Sequence, residues 1–248
     1  MEDDKKHGIF FMINEGLDRI GITDERNKIA IVVGYTVGYL MRLRGTKHEA
    51  YWDSFWDNMT EPLTPPKLRE VFEKAVDELY EYGQNVGDIL LIREKIESLS
   101  LEEPFYEINF YFIFGLVLAE ALADKNNISG KLFPILTKAF KKFNINDTGR
   151  RAAMVVGTLT GRSTKFHCWK NSAYWNTFFD DVRKGAPLTL PDLRNVFVKT
   201  VVDLHRCGFL DEEIISLQYE AAILCLNTSF VEDLGRYFTL GISFGERA

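Results

Sequence analysis

The sequence predicts an all-α fold: a tandem duplication of a five-to-six-helix bundle with pseudo-two-fold symmetry. Three observations predict it. Apolar residues recur at helical spacing, and no run alternates with period two. Only seven prolines interrupt 248 residues, so long helices are permitted. The chain also repeats itself in order.

The elements follow along the first half. Residues 9–20 read as a short amphipathic helix. A second helix runs to about Arg44, with Thr23 expected as its N-cap and Gly45 as its stop. The stretch EAYWDSFWDNM (49–59) is a third. In the fourth, Thr64 is the expected cap, Pro65 and Pro66 suit the first turn, and Gly83 ends it. Leu68, Val71, Phe72, Ala75, Val76 and Leu79 keep helical period along it. A fifth helix covers about 86–98. A sixth follows SLEE (100–103), whose Ser and Glu have capping-box spacing.

The repeat is explicit. AIVVGYTVG (30–38) returns as AMVVGTLTG (153–161), EAYWDSFWDNM as SAYWNTFFDDV (172–182), and LREVFEKAVDELYEYG (68–83) as LRNVFVKTVVDLHRCG (193–208). These blocks share 18 of 36 positions, at an offset that moves only from 123 to 125. The expected domains are residues 1–125 and 126–248, joined near the polar segment DKNNISGK (124–131). In the third helix, Tyr51, Trp52, Phe55, Trp56 and Met59 share one face, while Glu49, Asp53 and Asp57 share another. The second copy keeps the apolar face as Tyr174, Trp175, Phe178, Phe179 and Val182, and replaces the acids with Ser172, Asn176 and Asp180. Only the dry face is kept in kind, so core packing is its expected role.

The apolar stretches 29–41 and 108–123 fall short of the roughly 18–20 residues that span a bilayer, so no membrane association is expected. Cys168, Cys207 and Cys225 form no CxxC, and their odd number reads as reduced intracellular thiols. The N-terminal apolar run, Gly8 to Ile13, is shorter than a secretory signal requires. A cytoplasmic location is expected.

The two copies differ in charge. Residues 1–125 hold 14 Lys and Arg against 24 Asp and Glu, a net of −10; residues 126–248 hold 16 against 12, a net of +4. Opposite fields steer partners or favour head-to-tail contact. The positive charge centres on Lys138, Lys141 and Lys142, then Arg150 and Arg151, with Arg162 and Lys165 further on. These seven are the candidate phosphate-binding residues, through which the second half would hold nucleic acid. Glu73 and Asp77 of the first copy become Val198 and Val202, which marks these valines as candidate interface residues. They would pack on the other copy or a second chain, or be buried more deeply within their own copy.

Both copies place GxxxG on the second helix, at Gly34/Gly38 and Gly157/Gly161. Interior glycine costs roughly 1 kcal/mol against alanine, so close backbone packing is expected there. The expected arrangement is repeat-repeat packing, in which the two second helices cross each other near these glycines on the pseudo-two-fold axis; the alternative is a local contact inside each bundle.

No strong catalytic motif is present. His7, His48, His167 and His205 are scattered, His167–Cys168 lacks a second zinc pair, and neither a P-loop, a dinucleotide fingerprint nor GxSxG occurs. One spacing stands out: DELYE (77–81), twelve residues, then EKIE (94–97). It resembles the carboxylate pattern of the all-α nucleoside-triphosphate pyrophosphohydrolases. The resemblance implies Mg²⁺ held by Glu78, Glu81, Glu94 and Glu97 from two adjacent helices, a donor set that suits a hard cation. It covers about 20 residues. Its last position departs from the family's usual aspartate, and the second copy has Asp203 and Arg206 in place of the first pair. The leading expectation is a non-enzymatic interaction or regulatory protein that needs no cofactor. It would act as an adaptor or assembly subunit and engage a protein partner or itself. Nucleic-acid association and Mg²⁺-dependent nucleotide hydrolysis are the alternatives.

Overall fold

The computed structural model describes residues 9–45, 50–59, 62–84, 89–99, 107–123, 132–166, 173–209, 211–228 and 232–247. The expected capping box at Ser100–Glu103, the linker 124–131, and His7, His48, Glu49, His167 and Cys168 lie outside these residues. Among the described residues there are twelve helices and no strand. The first six are α1 (Ile9–Arg19), α2 (Glu25–Arg44), α3 (Ala50–Asn58), α4 (Pro65–Glu81), α5 (Ile89–Glu97) and α6 (Ile108–Ala123). The second six are α7 (Leu132–Lys142), α8 (Thr148–Lys165), α9 (Ala173–Arg183), α10 (Leu190–Arg206), α11 (Glu212–Leu226) and α12 (Leu234–Arg247). Among the described residues no helix is long and apolar enough to cross a membrane.

The helix boundaries follow local chemistry, with one correction. Asp24, not Thr23, caps α2: its carboxylate accepts the Arg26 backbone N–H at 2.8 Å. The Arg26 guanidinium closes on the same group, and these contacts hold the Asp24 carboxyl below its ordinary range. A charged acceptor one residue later outcompetes the hydroxyl. Asp147 caps α8 in the same manner, accepting from Arg150 N at 2.9 Å. Thr64 occupies the cap position of α4, followed by the two prolines, but its side chain makes no cap bond. Thr189 of α10 completes a capping box with Asp192. Gly83 turns the chain out of α4 with φ +70°, and Gln84 N returns to Leu79 O at 2.9 Å.

The chain divides into two compact units: Met1–Glu49 with Asn58–Leu122, and Ala50–Asp57 with Ala123–Ala248. The division places α3 with the second unit. There the Trp56 indole stacks on His205 at 5.9 Å, and Asp57 pairs with Arg206 at 2.5 Å. Trp52, Phe55, Trp56 and Met59 are buried while Asp53 and Asp57 face solvent, as the period of α3 requires.

Each unit has a central helix buried on nearly all sides. In the first it is α2, which packs on α1, α4 and α5 and meets α6 through glycine. A Cβ on Gly34 would lie 1.9 Å from the Phe112 carbonyl oxygen, and one on Gly38 2.7 Å from that of Leu116. From the other side, a Cβ on Gly115 would lie 2.0 Å from the Ile31 oxygen. In the second unit α8 is central, and α12 is its closest neighbour. Gly157 and Gly161 face Phe238 and Ile242 of α12, while Gly241 and Gly245 of α12 face Met154 and Thr158 of α8. The glycines therefore serve contacts inside each unit rather than the expected crossing of the two second helices. Backbones come this close only where no Cβ intervenes.

Candidate functional site

The site is built at the ends of three helices of the second unit. α7 finishes in Lys141 and Lys142, and Asn144 then adopts a left-handed conformation, φ +53°. Asparagine tolerates that region better than most residues. Ile145 N returns to Phe140 O at 2.8 Å, which closes the turn. The reversal throws Phe143 outward, 65% exposed, and tucks Ile145 into the core. Arg151 braces the turn from the first turn of α8, donating Nε–H to Ile145 O at 2.8 Å.

α12 supplies the other wall, and its sequence carries two stripes. Leu234, Phe238, Gly241 and Gly245, at i, i+4, i+7 and i+11, are buried, and both glycines face α8. Tyr237, Leu240 and Phe244 form a second apolar stripe, flanked by Arg236, Ser243 and Arg247. Between this stripe, Phe143, Ile145 and Met154 lies a groove of about 670 Å³. Leu240 is 49% exposed within it. Its described lining holds Arg236 and Arg247 and no carboxylate. Two further cations stand over its aromatic rings: Arg150 is 5.4 Å from the Tyr237 ring, and Lys142 is 5.8 Å from that of Phe143. The result is an apolar floor with a cationic rim, able to take apolar groups accompanied by negative charge.

The seven basic candidates separate around this site. Lys138, Lys141 and Lys142 are exposed on α7, and Arg150 reaches Tyr237. Arg151 is committed to the turn. Arg162 is buried, its guanidinium 5.0 Å from the Phe166 ring, and is withdrawn from any surface ligand. Lys165 is exposed at the far end of α8, about 25 Å along the helix from its start. Val198 and Val202 are 7% and 1% exposed, so both are already covered within the chain.

The four glutamates do not converge. Glu78 is buried on α4, where Arg44 Nε lies 3.5 Å from Oε2 and Lys74 Nζ 3.2 Å from Oε1. Glu97 pairs with Arg69 at 2.6 Å, and Glu81 and Glu94 are exposed. Among the described residues no group of three or more His, Cys, Asp or Glu side chains is placed to hold a metal ion.

Three features escaped the reading of the sequence. Arg236, Tyr237, Leu240, Phe244 and Arg247 form the groove wall; LGRYFTLGISFGER (234–247) carries two apolar stripes, and only packing decides which of them stays at the surface. Asp203 is buried and accepts the Trp175 indole N–H at 2.6 Å; burial raises its carboxyl, and the indole and Lys199 oppose that shift. Glu120 is buried on α6, where desolvation pushes its carboxyl up to about 8.

Two further hollows flank α9. One, about 530 Å³, is lined by Tyr174, Phe178 and Leu188 with Asp181 and Asp192; the other, about 890 Å³, lies under the α9–α10 connection beside Glu232 and Asp233. Asp192 is engaged in its capping box. The chain matches no protein family, and no curated protein or solved structure is significantly similar to it.

Proposed function

We propose that the chain is a non-enzymatic interaction protein, an adaptor or assembly subunit, and that the groove between α7, α8 and α12 is its docking surface. The observation that carries this reading is the stripe Tyr237–Leu240–Phe244, which lies about 100° round α12 from the stripe packed on α8 and leaves Leu240 49% exposed beside a cationic rim. The rim of Arg236, Arg247, Arg150 and Lys142 adds orientation and partner choice. Captures from native extract with the parent chain and with Leu240→Glu test the reading. Proteins retained by the parent and lost by the variant are expected; identical captures would count against it.

A tandem duplication underlies this design in our reading. Its support is the pairing of like devices in the two sequence copies: the Asp24 and Asp147 caps, the glycine contacts of α2 and α8, and buried Trp52 and Trp175. The copies then diverged outside, one becoming acidic and the other mildly basic.

A second reading, nucleic-acid association through the basic half, draws on the aromatic rings of Phe143 and Tyr237 beside Lys142 and Arg150. Stacking platforms with adjacent cations suit single strands. An oligonucleotide shift that weakens steeply with salt, and is lost in Phe143→Ala, would favour it over protein docking.

A further inference from the structure

We infer that the occupant of the groove is a second copy of this chain, docking through the acidic surface where α4 ends and α5 begins. This rests on the reading of the groove as a docking surface. The two surfaces are complementary in both kinds of chemistry. The groove offers Phe143 and Leu240 between Arg236 and Arg247. The α4–α5 end offers Tyr80, 51% exposed, and Leu90, 73% exposed, among the exposed carboxylates of Asp77, Glu81 and Glu94.

The charge balance of the chain favours this occupant. The half carrying the α4–α5 end has a net of −10, and the half carrying the groove a net of +4. Opposite fields of that size steer two copies together with unlike ends facing. The apolar side chains then supply the short-range contact, since exposed charge pairs alone contribute little. The end of α4 is also held in place for such a role, because the Tyr39 hydroxyl donates to Gln84 Oε1 at 2.9 Å just beyond it. Contact between unlike surfaces of identical molecules gives a reciprocal pair or an extending series.

Sedimentation of the purified full chain tests the inference. Apparent mass should rise with concentration and fall as salt is raised. Arg236→Glu/Arg247→Glu and Asp77→Lys/Glu81→Lys should each weaken association by about tenfold or more, since like charges then face each other. All four positions are exposed or on the groove rim, so both variants should keep the parent's far-ultraviolet spectrum and melting. Mixing the two variants should restore association, because the unaltered groove of one meets the unaltered acidic end of the other, and the two reversed surfaces also match in sign. A parent chain that stays monomeric at all concentrations would overturn the inference. So would assembly indifferent to both reversals, or a mixture that stays apart. If the parent is monomeric while Leu240→Glu still loses captured proteins, the docking groove stands and only the self-docking fails.

Discussion

Gly34→Ala and Gly157→Ala are the most direct probes of the close helix packing inside each unit. A Cβ on Gly157 would sit 2.1 Å from the Phe238 carbonyl oxygen and 2.9 Å from its carbon; on Gly34 the corresponding distances to Phe112 are 1.9 and 2.7 Å. Ordinary contact begins near 3.4 Å, so the paired helices must separate by about 1.3 Å and 1.5 Å respectively. The obstructing atoms are backbone, and no side chain can rotate away. Overpacking of this kind costs typically 1–3 kcal/mol, and the rigid neighbours put it at the upper end, about 3 kcal/mol. Alanine returns about 1 kcal/mol of helix propensity. The net loss is about 2 kcal/mol, or roughly 8 °C in Tm for a unit of this size. Gly16→Ala is the control: it lies in α1 with nothing within 4 Å of a new Cβ, so it should stabilise by up to about 1 kcal/mol. Thermal melts by circular dichroism read all three. Gly157→Ala and Gly241→Ala obstruct the same contact, so their double variant should cost less than the sum of the singles. Melting of Gly34→Ala and Gly157→Ala at or above the parent's temperature would refute the close-packing argument.

Other outcomes follow from the buried charges. Glu78→Ala removes a carboxylate from beside the buried Arg44 guanidinium and should cost about 3 kcal/mol by urea unfolding, with no change in response to Mg²⁺. Trp175→Phe removes the indole N–H from buried Asp203 and should cost about 1.5–3 kcal/mol by the same measurement. Melting across pH should move the two units in opposite directions. The Glu120 carboxyl, raised to about 8, makes the folded first unit hold more protons than its unfolded state, so that unit loses stability as pH rises from about 4.5 to 8. Burial lowers His205 to about 4; although the residue is half-buried overall, its Nε2 is shielded from solvent. The second unit therefore loses stability as pH falls from about 6.5 towards 4. Glu120→Gln should flatten the alkaline limb, and His205→Phe the acidic one.

The fold was legible where one residue property decides one outcome. The period of Leu68, Val71, Phe72, Ala75, Val76 and Leu79 leaves α4 one way to lie, and the two prolines after Thr64 mark where it starts. GxxxG announced close backbone approach, because glycine in mid-helix is costly unless something needs the space. Which helix fills that space was not legible. Of the partners, Gly115 stands alone on α6 while Gly241 and Gly245 repeat the GxxxG spacing on α12, but a one-dimensional pattern carries no pairing between distant segments. The groove was hidden for a similar reason. α12 reads as a core helix until packing assigns its glycine stripe to α8 and leaves Tyr237, Leu240 and Phe244 over. Charge in sequence does not report depth: Arg162 stands on the same helix as Arg150 but is buried on an aromatic ring rather than open to a ligand.

The ExxE spacing has a different physical origin from metal binding. Glu78 of α4 and Asp203 of α10 are buried carboxylates at matching places in the repeated block, and each has a lysine four residues before it. Lys74 lies 3.2 Å from Glu78, and Lys199 lies 3.7 Å from Asp203. The remaining partner differs. The longer glutamate takes the Arg44 guanidinium of α2, and the shorter aspartate takes the indole N–H of Trp175 on α9. A buried carboxylate must find donors wherever its side chain reaches, because leaving it unpaired costs several kcal/mol. A change of one methylene therefore changes which helix is tied to the block. The carboxylate that suggested a cation site is a fastening inside each unit. Replacing Asp203 with glutamate should strain the Trp175 contact, whereas the same exchange at a solvent-exposed metal ligand would be tolerated by the fold.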